Sequence, residues 1–116
     1  MRRDETILLD IARAARAVRT FVQGLDKDSF INDYKTQSAV LYQIIVIGEA
    51  VKRLSQEFRN NQPQIPWSLI AGMRDVLIHG YDIVDWNEVW KTATSDVPEL
   101  LTGIAPLLPR ESPTSQ

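Results

Sequence analysis

Apolar residues recur at three- and four-residue spacings along almost the whole chain, and no segment alternates with period two. The pattern predicts an all-α protein. A first helix runs from about Asp4 to Gly24, with Ile7, Leu8, Ile11, Ala14, Ala15, Val18, Phe21 and Val22 on one stripe. Asp4 or Thr6 is placed to cap its start and Gly24 to stop it. The polar stretch DKDSFINDY (26–34) predicts a short helical turn that plugs the bundle with Phe30. The longest helix is expected from about Asp33 to Arg59. Val40, Ile44, Ile47, Val51, Leu54 and Phe58 form its seam. Its middle, IIVIG, is apolar on most sides, which suggests burial against a second subunit as well as within one chain. Gly48 there costs about 1 kcal/mol relative to alanine, which a close helix approach would offset.

The segment NNQPQIP (60–66) reads as a loop. Pro66 suits the first turn of a fourth helix, whose buried face is Trp67, Ile70, Met73 and Leu77. That helix is expected to end at His79, with Gly80 as the left-handed terminator. A fifth helix starts at the N-cap Asp85, with Glu88 three residues on. Pro98 should kink or break it near Thr94–Val97. The expected architecture is a compact antiparallel bundle of four main helices plus one short helical turn. Residues 1–108 form a single domain in this reading, and 109–116, which carry almost no apolar content, form a disordered tail.

Composition narrows the function classes. A chain of 116 residues suits one core. It has no cysteine, which removes thiolate chemistry and fits a reducing, cytoplasmic location. Asp4, Glu5 and Asp10 interrupt any secretory h-region, and no apolar run approaches the ~20 residues of a membrane span. The net charge of −2 does not attract nucleic acid at long range. The charge is uneven, however. Arg2, Arg3, Arg13, Arg16 and Arg19 crowd the first segment, and Asp75 to Glu99 is mostly acidic.

Candidate chemistry is sparse. One histidine, with no Glu three residues before it, does not make a bundle metal site. No Gly-rich phosphate loop or nucleophile elbow exists, and no cofactor is implied. Glu49 is expected to pair with Arg53, and Trp67, Trp86 and Trp90 fall on core stripes. RDVLIHGY (74–81) supports two readings. In the first, His79 is a helix-ending residue favoured by the helix dipole, with Tyr81 packing back on Val76. In the second, Arg74 and His79 form half of a phosphodiester-cleaving site. On one helix they would stand about 140° and about 7.5 Å apart, so a second copy facing them would complete it. Imidazole moves protons and guanidinium steadies a charged transition state.

The ordered set IGEA, IPW, GMRDVLIHGYD and the capped helix after it closely resembles the HepT-like branch of the HEPN superfamily, over roughly residues 5 to 108. The resemblance implies a HEPN-like helical homodimer whose Arg and His motifs meet in one cleft and act as a metal-independent ribonuclease. It implies a toxin of a toxin–antitoxin pair. Its partner would be an MntA-type minimal nucleotidyltransferase that silences it by AMP transfer to the motif tyrosine. Carried onto this chain, the catalytic pair is Arg74 and His79, Asp75 holds a supporting position, and Tyr81 is the modified residue. A different class of function also fits: a non-catalytic helical binding partner that docks a nucleotidyltransferase.

Overall fold

The computed structural model describes residues 2–80 and 83–109. The chain starts with α1 (Arg3–Val22), a short α2 (Lys27–Ile31) and α3 (Tyr34–Arg53). These are followed by α4 (Gln56–Asn61), α5 (Trp67–Ala71) and α6 (Met73–Leu77). A two-stranded antiparallel ladder, β1 (Ile78–His79) with β2 (Ile83–Val84), comes next. The last elements are α7 (Trp86–Lys91), a π-helical turn (Thr92–Asp96), α8 (Val97–Ile104) and a 3₁₀ turn (Ala105–Leu107). The all-α bundle expected from the periodicity is present. None of the described helices is long and apolar enough to cross a membrane.

The core forms because the stripes face one another. α1 lies along α3, α8 closes on α1, and α5 and α6 sit on α3. Ile7, Leu8, Ile11, Ala15 and Val18 meet Val40, Ile44, Ile47 and Val51, and Leu77, Val89, Val97 and Ile104 complete the cluster. Phe30 plugs the bundle as expected. It is fully buried, with its ring 5.2 Å from that of Trp90 and 6.4 Å from that of Trp86. Asp26 caps its short helix by accepting from the Ser29 N–H. Trp67 is buried too, and its indole N–H donates to the Gln62 carbonyl.

The apolar middle of α3 is covered in part within one chain. Ile44 and Ile47 are fully buried within one chain, and Ile45 and Val46 are half-buried. Gly48 marks the close approach: a Cβ there would stand 3.3 Å from the Ile70 carbonyl oxygen. The glycine thus sets how near α5 comes to α3.

Four expectations are corrected. The third helix does not continue to Arg59. It stops at Arg53, Leu54 is extended, and Ser55 caps a separate α4. Apolar periodicity concealed the break, because Leu54 stays buried and Phe58 still packs, its ring 6.1 Å from that of Trp67. Asp4 holds the break in place. Rather than capping α1, which has no side-chain cap, its carboxylate accepts from the Ser55 N–H at 2.8 Å and the Ser55 hydroxyl at 2.7 Å. Glu49 pairs with Lys52 at 3.3 Å, not with Arg53. Finally, the fourth helix is neither continuous nor as long as expected. Gly72 divides it into α5 and α6, and it ends at Leu77.

The Asp4 contact has a pH consequence. The two Ser55 hydrogen bonds hold its carboxyl below the ordinary 3.8. A depressed carboxyl stabilises the fold fully above the unfolded value, and the contribution disappears as pH falls below 3.8 through the lower folded value. Asp4→Ala is expected to cost about 1 kcal/mol at neutral pH, at the low end for a charged hydrogen bond because the site is exposed. Urea melts at pH 7 and pH 3 should show the gap to wild type narrowing in acid. An equal gap at both pH values would contradict this origin.

Candidate functional site

The segment that carries Arg74 and His79 spans two elements, not one helix. Gly72 takes φ −93° and ψ 4°, and α6 restarts with its 73–77 turn. The β-branched Ile78 then adopts φ −120°, ψ 117°, which ends the helix. The free carbonyl of Leu77 is satisfied across the ladder, where the Asp85 N–H donates to it at 2.8 Å. Ile78 pairs with Val84 and His79 with Ile83. Gly80 does adopt a left-handed φ of +79°, as its position predicted, but it serves a strand connection and not a helix cap.

The correction changes the chemistry assigned to His79. Two residues beyond the helix in extended backbone, it is not a helix C-terminal residue, so the dipole argument for its charged form lapses. The strand period of two decides its direction instead. Ile78 and Val84 turn to the half-buried side, and His79 and Ile83 turn outward. The imidazole is thereby presented to solvent by a short, cross-braced ladder. Arg74 is also exposed. Its Nη1 stands 3.9 Å from the Asp75 carboxylate, an ion pair too long for a hydrogen bond. All three sequence-predicted side chains therefore lie outward on consecutive elements. Tyr81, the fourth, lies outside the described residues, as does its expected packing on Val76.

Two grooves open on the surface of the described residues. One, about 440 Å³, lies between α5–α6 and α7–α8, with Leu69, Met73 and Val76 on one wall and Glu88, Asp96 and Glu99 on the other. Its far wall includes Thr92 and Asp96 of the π-helical turn, the local answer to Pro98, which has no N–H to donate to Thr94. The other, about 390 Å³, runs between α1 and α3 past Asp10, Arg13, Glu49 and Arg53. Its charges balance, and Arg13 is already paired to Asp10 at 3.3 Å. Arg74 and His79 line neither groove. No cluster of three or more His, Asp or Glu among the described residues is placed to hold a metal ion.

Sequence reasoning missed Leu69, Val76 and Ile83, three large apolar residues on the open surface. A signal existed for two of them. Leu69 and Val76 fall off the stripe formed by Trp67, Ile70, Met73 and Leu77. Ile83 gave none, because its exposure follows from the ladder register.

Residues 11–106 match the family model described as ribonuclease HepT-like. The chain belongs to the HepT-like family. Its relatives support that membership. A protein of Thermococcus cleftensis named a probable ribonuclease HepT is 42% identical over 93 residues, covering 80% of this chain and 84% of the relative. A Methanocaldococcus jannaschii protein named as a candidate RNase is 40% identical over 96 residues, 83% of either chain. A similarly named protein of Caldanaerobacter subterraneus is 39% identical over 90 residues, 78% of this chain and 80% of its own. No solved structure matches the chain. The matched region runs from the middle of α1 past the end of α8, so the ladder and the Arg74–His79 segment lie inside it.

Proposed function

We propose that this chain is the toxin of an antitoxin-modified, type VII toxin–antitoxin pair. In this reading it is a cytoplasmic, metal-independent endoribonuclease acting as a homodimer. The observation that carries the proposal is HepT-like membership together with RDVLIHGY, whose Arg74 and His79 both stand exposed on the consecutive elements α6 and β1. Each protomer would contribute one Arg74 and one His79 to a shared site. One imidazole takes the proton of the RNA 2′-hydroxyl, whose oxygen attacks the adjacent phosphorus. The other gives a proton to the departing 5′ oxygen. Arg74 offers N–H donors to the phosphorane oxygens. The products are a 2′,3′-cyclic phosphate and a 5′-hydroxyl. The RNA supplies its own nucleophile, and the protein moves two protons and holds charge.

Tyr81 stands two residues past His79 in the chain. An MntA-type nucleotidyltransferase would transfer AMP from ATP to its phenol oxygen, with release of pyrophosphate. A bulky anion there repels RNA phosphate from the neighbouring imidazole. The non-catalytic docking reading keeps one point in its favour: in a single chain Arg74 and His79 lie on an open surface and line neither groove.

The two readings separate on one preparation. Wild-type protein with excess EDTA is expected to cleave RNA and leave cyclic-phosphate ends, read by mass spectrometry of the fragments. After co-expression with the transferase, intact mass should rise by whole AMP units that map to Tyr81. Cleavage that requires added metal, or fragments ending in a 3′-hydroxyl, would overturn the mechanism. An AMP mapped elsewhere would overturn the silencing step.

A further inference from the structure

The candidate site leaves one strongly charged surface unused, the outer face of α1. Residues 11–25 (IARAARAVRTFVQGL), from mid-helix to just past its end, hold Arg13, Arg16 and Arg19 and no acidic residue. The whole chain has a net charge of −2, so this run stands against the overall balance. Ile11, Ala14, Ala15, Val18 and Val22 turn into the core, and all three arginines stay exposed. Successive arginines are three residues apart, which makes them surface neighbours with about 5–6 Å between Cβ atoms. The row climbs about 9 Å along the helix axis and turns through about 120°. The short helices α2, α4 and α7 mix their signs instead, with Lys27 beside Asp28, Glu57 near Arg59 and Glu88 near Lys91.

Within the molecule this charge is barely used. Arg13 meets Asp10 at 3.3 Å, but its side chain is 79% exposed, and an exposed pair of this kind contributes little. Arg16 and Arg19 make no side-chain hydrogen bond or ion pair among the described residues. The helix dipole accounts for Arg19 alone, because its attraction for cations fades beyond the last turn. Arg13 and Arg16 lie outside that turn. The opposite balance holds around His79. From Asp75 to Glu99 the chain carries Asp75, Asp82, Asp85, Glu88, Asp96 and Glu99 against Lys91. That stretch repels phosphate, so a polyanionic strand needs its cations elsewhere.

We infer that Arg13, Arg16 and Arg19 on the outer face of α1 form a binding surface for the phosphate backbone of single-stranded RNA. The inference rests on the ribonuclease reading and adds to it where the substrate strand is held outside the Arg74–His79 segment. Each guanidinium offers a planar fork of N–H donors to phosphate oxygens. Contacts of this kind position a strand without reading its bases. The row therefore raises affinity for every RNA alike and leaves the choice of cleavage position to the residues around the scissile phosphate. A membrane surface is the weaker occupant, because the apolar stripe of α1 is buried in the core and cannot insert among acyl chains.

The test is fluorescence anisotropy on the full chain over a series of salt concentrations. The probe is a labelled single-stranded oligoribonucleotide, 2′-O-methylated throughout so that it cannot be cleaved. Each phosphate contact contributes about 0.7 to the slope of log affinity against log salt. Arg16→Ala with Arg19→Ala should therefore flatten that slope by about 1.4, a relative loss of about 25-fold over one decade of salt. Both positions are exposed and alanine is the best helix former, so the variant keeps its fold, which circular dichroism checks. Lys27→Ala with Lys91→Ala removes the same charge from α2 and α7 and should leave the wild-type slope unchanged. A wild type that does not bind the probe, an unchanged slope in the arginine variant, or an equal flattening in the lysine variant would each overturn the inference. So would an arginine variant that loses binding to phosphatidylserine vesicles and keeps its hold on RNA. Failure here is distinguishable from failure of the ribonuclease reading, because the probe cannot react. The expected slopes without any cleavage of ordinary RNA leave the binding surface standing, whereas cleavage by a protein whose slope ignores the arginines leaves the ribonuclease standing.

Discussion

His79→Ala is expected to lower RNA cleavage by about 10²- to 10⁴-fold, the range set by losing a positioned proton carrier. If both imidazoles of a dimer act, one substitution removes the general base and the general acid together, which places the result toward the larger end. The change should leave stability almost untouched. His79 is exposed, it has no side-chain hydrogen bond among the described residues, and its ladder pairing with Ile83 uses only backbone groups. Surface substitutions of this kind usually stay within about 0.5 kcal/mol. Rate and melting temperature measured on the same preparation therefore separate chemistry from folding. Undiminished cleavage by the alanine protein would remove His79 from the mechanism. Equal loss of rate and of folded protein would assign it a structural role instead.

The second large effect concerns the core. Phe30→Ala is expected to destabilise the fold by about 3–5 kcal/mol, as for other buried aromatic truncations. Phe30 is fully enclosed, and its ring meets both Trp86 and Trp90. It is the plug through which the short α2 holds α7. A cavity there also loosens α7, whose cap residue Asp85 donates its N–H to Leu77 and so closes the His79 ladder. A loss of this size is a large part of the roughly 5–15 kcal/mol that holds a domain together. It should lower the melting temperature by roughly 10–20 °C. A shift of only a degree or two, measured by thermal circular dichroism, would mean that neighbouring rings collapse into the space.

The two substitutions show different kinds of legibility. Phe30 could be read as a plug from sequence because it stands with Ile31 as the one apolar pair in a polar stretch, between Asp26 and Asp33, which cap α2 and α3. Local chemistry was enough there. The stripes of α1 and α3, the N-cap at Asp85 and the disturbance before Pro98 were legible for the same reason: each depends on residues within a turn or two. His79 was legible as a residue and not as a geometry. Its placement depends on which element follows α6, and a two-residue strand has no period to detect.

Long-range contacts decided what remained. The break at Leu54 lies inside an unbroken apolar seam, and Asp4 stabilises it from 51 residues away. The end of the fourth helix depends on the Leu77 carbonyl finding the Asp85 N–H, a bond that exists only once the ladder has closed. The outward turn of His79 and Ile83 follows from that register. The sequence by itself determined the helical class, the main apolar faces, the HepT-like motif set and the identities of Arg74, Asp75, His79 and Tyr81, because periodicity and motif order are local and linear properties. Only the tertiary structure decided where the helices stop and that His79 rides on a strand ladder. It also decided that Leu69, Val76 and Ile83 stay uncovered beside the candidate site, because backbone hydrogen bonds and burial between distant segments are settled only when those segments meet.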